Sequence, residues 1–114
     1  NSLQNRADRG YDNIGNNAML AANPVTGEVK RFMTGPRGCE ITGVTMTPDQ
    51  RTMFVNIQHP GESTTYWNSQ FGSPNPDAPW RVSSWPYGTT ADPLRRPRPA
   101  TVVIRKLDGG RIGS

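Results

Sequence analysis

A chain of 114 residues has room for one small domain. With 32% hydrophobic residues, 12 Gly and 11 Pro, it favours short strands and long loops over an extensive core. The net charge of +4 is modest, and no apolar run approaches the ~20 residues of a membrane-spanning helix.

Residues 1–16 mix Asn, Asp, Arg and Gly without periodicity and read as a polar loop or arm. Strands are expected near 18–22 and 28–34, joined by the turn-forming Asn23-Pro24-Val25-Thr26-Gly27 into a hairpin. Gly35-Pro36-Arg37-Gly38 forces a turn, and a β-branched strand follows over 39–46. Thr47-Pro48-Asp49-Gln50-Arg51 is a tight turn, with Asp49 suited to accepting backbone hydrogen bonds. The strand over 52–57 sets Met53, Val55 and Ile57 on one face, and Phe54 on the other predicts cover on both faces.

Residues 58–99 form a long irregular insertion that holds all three Trp, two of the three Tyr and most of the Pro. A loop of that length is usually functional or an interface, and its aromatics argue against a simple linker. A last strand is expected over 100–107, closed by Asp108-Gly109-Gly110. No helix emerges. The chain therefore reads as all-β and antiparallel, with residues 17–114 as one segment after the arm.

Strand, Pro-Asp turn, strand recurs between the inner strands of β-propeller blades. A blade takes about 40–45 residues, so the chain spans about one blade and part of another. Such a unit cannot cover both faces of its sheet alone. The chain begins at Asn1 without an initiator Met and carries no signal peptide. It is accordingly expected to be a piece of a longer protein whose earlier blades and targeting signal lie upstream.

Few residues carry chemistry. Cys39 is the sole cysteine, best read as a small buried hydrophobe, and it leaves the redox compartment open. Arg95, Arg96 and Arg98 are interrupted by proline and lack a recognition helix or an RNA-binding aromatic motif, so a nucleic-acid partner is not expected. Glu40 stands at the opening of an otherwise neutral strand. By itself it reads as a solvated strand end. In a propeller it would face the channel mouth, where a hard cation gathers oxygen ligands from several segments. His59 and Glu62 follow the second inner strand and would open on the same face. His59 could bind metal or phosphate or simply hold its loop, and Glu62 reads as solvated. There is no Gly-x-Ser-x-Gly elbow, His-Glu-x-x-His pair, Cys-x-x-Cys pair or P-loop, so no catalytic nucleophile is identified.

The runs from Phe32 through Gly43 and from Thr47 through Glu62, in that order, resemble the PhoX-type alkaline phosphatases, as does the upstream stretch from Gly15 to Pro24. The resemblance is strong over residues 13–62 and weak beyond. It implies a six-bladed propeller, periplasmic or extracellular after export by the twin-arginine route, that hydrolyses phosphomonoesters with calcium and iron ions. Glu40 matches a glutamate taken as a metal ligand, and the other ligands would come from earlier blades. Cys39 does not match the iron-binding cysteine, which belongs to an earlier part of such chains. Two other readings stand beside this one. The chain could be a non-catalytic scaffold that binds through its aromatic 66–87 loop, or part of a lactonase-like calcium hydrolase.

Overall fold

The computed structural model describes residues 17–62, 83–88 and 96–114. The expected arm at 1–16 and most of the 58–99 insertion, including Arg95, lie outside them. The described residues contain five strands, all paired antiparallel, and no helix.

Strands β1 (Ala18–Ala22) and β2 (Val29–Thr34) form the expected hairpin, a two-stranded sheet of their own. Its turn is held by Asn23, whose Oδ1 accepts from the backbone of Val25 at 2.9 Å and of Thr26 at 3.2 Å. That is the local side-chain capping for which Asn is favoured in turns.

Strands β3 (Glu40–Met46), β4 (Met53–Gln58) and β5 (Ala100–Ile104) form a second sheet in the order β3–β4–β5. Between β3 and β4 the Thr47 hydroxyl donates to Asp49 Oδ1 at 2.6 Å, and the Arg51 backbone donates to the same oxygen at 3.1 Å. The Thr47 hydrogen bond is the main cause of an Asp49 carboxyl held below its ordinary range. Asp49 is a turn-forming residue, as its position predicts.

Burial within β4 is one-sided. Met53, Val55 and Ile57 are buried, whereas Phe54 on the opposite face is half-buried and Asn56 and Gln58 are exposed. The expectation that β4 is covered on both faces does not hold among the described residues. A β-bulge lies between Thr42 and Val44 in β3, after which Val44 and Met46 are exposed. Ile41 lies opposite Ile57, but Val44 and Met46 lie opposite Val55 and Met53, so the apolar phase slips by one residue. Gly43, at φ 50°, absorbs the extra residue.

The last strand is shorter than expected, ending at Ile104 rather than at 107. Ile104 pairs with Met53, the first residue of β4, so residues beyond it have no ladder partner. Arg105 turns its Nε to Thr52 Oγ1 at 3.1 Å instead, and the chain closes on a Lys106–Gly109 turn that leaves Leu107 exposed.

Cys39 is fully buried at the entry to β3, packed against Gly35, where any side chain would run into its sulfur. Burial pushes the thiol up to about 11 from an ordinary 9.0. An alkylating reagent at pH 8 should therefore modify Cys39 at least tenfold more slowly in the folded protein than in urea, because the thiolate reacts and is suppressed. The stabilisation from keeping the thiol protonated is complete below about 9 and is lost as pH rises toward about 11. Equal labelling rates folded and unfolded would contradict this burial.

Candidate functional site

Antiparallel pairing sets Glu40, the first residue of β3, opposite Gln58, the last of β4. The turn before β3 and the loop after β4 therefore meet at one end of the sheet. They dock through backbone. The Gly61 N–H donates to the Arg37 carbonyl at 2.8 Å, and the Glu62 N–H closes its own turn on the His59 carbonyl at 3.1 Å.

Two glycines permit this approach. Gly38 adopts φ 70°, and a Cβ there would lie 2.7 Å from the Glu62 carbonyl oxygen and 2.8 Å from its nitrogen. Gly61 adopts φ 82°, and a Cβ there would lie 2.8 Å from Pro97 Cγ. Both conformations are costly for residues with a Cβ. Reading side chains for chemistry passes over these positions, although the Gly-Pro-Arg-Gly and Pro-Gly-Glu turns contain them.

His59 occupies the junction in a left-handed conformation, φ 36°. Its Nδ1 lies 3.2 Å from the Gly38 carbonyl oxygen. A carbonyl can only accept, so Nδ1 carries a hydrogen. The same nitrogen is 3.4 Å from Glu62 Oε2, and Nε2 is 3.5 Å from Glu40 Oε2. The three residues singled out in the sequence thus converge, with the imidazole between two carboxylates. Both contacts are longer than good hydrogen bonds, and the glutamates are about half exposed. Such solvated pairs contribute roughly 0–1 kcal/mol each, so they do little to hold the fold.

The donor set suits a hard cation in type, since two carboxylates offer oxygen. It does not suit one in number: among the described residues no three His, Cys, Asp or Glu side chains are placed to hold a metal ion. Glu40 contributes a half-exposed carboxylate at the start of β3. His59 is tied to backbone and Glu62 is turned toward it.

Residues 3–61 match a family model described as alkaline phosphatase PhoX. The matched stretch takes in β1 to β4, Glu40 and His59, and it stops one residue before Glu62. No curated protein matches the chain, and no solved structure does.

Proposed function

The chain belongs to the alkaline phosphatase PhoX family, and from that premise we propose that it is a late segment of an exported, metal-dependent enzyme that hydrolyses phosphomonoesters. The observation that carries this reading is the convergence of Glu40 and His59 at one end of a sheet, inside the stretch that matches the family.

In this reading the two sheets are parts of adjacent blades of a β-propeller. The open face of the second sheet supports it, because a sheet apolar on one side and only half-covered on the other needs neighbours. Glu40 holds one ion at the channel mouth through its half-exposed carboxylate. His59 braces the loop that flanks Glu40, anchored by Nδ1–H on the Gly38 carbonyl. Calcium and iron, the ions expected here, would supply positive charge that clamps the phosphate oxygens and activates an oxygen nucleophile. Glu62 shapes the outer side of the loop, and the remaining ligands come from other segments.

The test is a chromogenic phosphate ester assay on the complete protein and on this 114-residue chain. The complete protein is expected to turn over the ester, to lose activity with a chelator and to regain it with calcium. The chain alone is expected to show little turnover, because it lacks most of the ligands. Calcium-dependent turnover by the isolated chain at the full rate would overturn the segment reading. A complete protein inactive under every metal condition would overturn the phosphatase reading.

A further inference from the structure

Two arginines of the proline-interrupted basic cluster are carried to the end of the sheet that holds the candidate site. Residues 96–99 lead into β5 at Ala100, which pairs with Ile57, the neighbour of Gln58. Pro97 closes against the turn after β4, where a Cβ on Gly61 would lie 2.8 Å from Pro97 Cγ. Ser83 Cβ would stand 3.5 Å from the same Cβ, and the Arg98 N–H donates to the Trp85 carbonyl at 3.1 Å. The stretch around Pro97 is therefore braced from two sides. Arg96 and Arg98 flank Pro97, and both are exposed.

This position is at the end of the strands, not over a face of the sheet. Gly61 stands between His59 and Glu62 on one side of the junction and donates to the Arg37 carbonyl on the other. The acids here are Glu40 and Glu62, on either side of the imidazole, so the arginines add positive charge at the rim of an acidic centre. The stretch that matches the family ends at residue 61, so that match assigns Arg96 and Arg98 no part in the reaction.

We infer that Arg96 and Arg98 form an anion subsite at the rim of the candidate site, one that favours phosphate esters carrying a second phosphate. Exposed cations beside a site raise the local concentration of an anionic ligand. A guanidinium also pairs with phosphate oxygens through two parallel N–H groups. The second phosphate, remote from the reacting bond, is the group that reaches the rim. The inference rests on the phosphatase reading for its catalytic consequence but not for anion binding itself.

The experiment uses the complete protein with fructose 1,6-bisphosphate and fructose 6-phosphate, in wild type, Arg96→Gln/Arg98→Gln and Arg111→Gln. The ratio of kcat/KM for the bisphosphate to that for the monophosphate is expected to fall roughly fivefold in the double variant, the scale of two exposed ion pairs. The monophosphate rate serves as the internal check on folding and should barely change. Arg111 is also exposed, but its neighbour Ile112 donates to the Gln50 carbonyl at the opposite end of the sheet, so Arg111→Gln should leave the ratio unchanged. Raising the salt from about 0.01 M to about 0.15 M should shrink the wild-type preference, because exposed charges are screened. An unchanged ratio in the double variant, or an equal fall in Arg111→Gln, would overturn the inference. Calorimetric titration with methylenediphosphonate gives a second readout on the same proteins. If wild type hydrolyses neither ester, the phosphatase reading fails and the titration decides alone. Binding that weakens only in the double variant upholds the anion subsite, and binding absent from wild type or equal in all three proteins overturns it.

Discussion

Gly38→Ala is expected to unfold the docked pair of loops and to destabilise the protein by more than any exposed glycine replacement. Two costs add at this position. A residue with a Cβ held at φ 70° is strained by roughly 1–3 kcal/mol. The new Cβ also falls 2.7 Å from the Glu62 carbonyl oxygen and 2.8 Å from its nitrogen, both backbone atoms. The loop must therefore move as a whole, and His59 loses the Gly38 carbonyl that orients its ring. Gly27→Ala is the matched control, because Gly27 has φ 73° and a Cβ there would meet nothing within 4 Å. It carries the strain without the collision. Urea midpoints of the two variants should differ clearly, with Gly38→Ala the lower, and the His59 ring resonances should shift only in Gly38→Ala. Equal midpoints would mean that the contact between residues 38 and 62 contributes nothing.

Glu40→Gln in the complete protein is expected to lower bound metal and phosphatase rate together while leaving the fold intact. The amide keeps the shape of the side chain but removes the charge that a hard cation requires. Losing even a partner of a metal ligand typically costs about 10–100-fold in affinity or activity, so the loss of a ligand should reach at least that range. Because the side chain is about half exposed and its contact with His59 is long, stability should change by only about 0.5 kcal/mol. Metal analysis, rate and melting temperature on one preparation separate the possibilities. Unchanged metal content with an unchanged rate would return Glu40 to the role of a solvated strand end.

The first four strands were legible in the residues because each rests on local chemistry. Asn23 and Asp49 sit where their side chains must accept backbone hydrogen bonds, and both do. The burial of Cys39 followed equally from its type and its neighbours. The end of β5 was not legible: Arg105, Lys106 and Leu107 suit a strand by pattern, yet the ladder stops at Ile104, where β4 runs out. The bulge at Gly43 was not read in the sequence, where 39–46 is one uninterrupted strand, because it shows only in the register against β4. That Glu40 and His59 would share one end of the sheet followed from an antiparallel pair. That the ring would stand between two carboxylates did not.

The sequence by itself determined the antiparallel all-β character, the turn chemistry and the family, all of which reside in short contiguous runs. Only the tertiary structure decided which distant groups meet. Gly38 reads as a turn glycine in isolation, but its missing Cβ is needed because the backbone of Glu62 lies against it. Asn56 and Thr101 read as ordinary strand residues until the register pairs them, and their side chains then hydrogen-bond across β4 and β5. Local preference acts over a few residues of backbone, whereas these contacts depend on register. Register is set by which apolar face the whole sheet can bury.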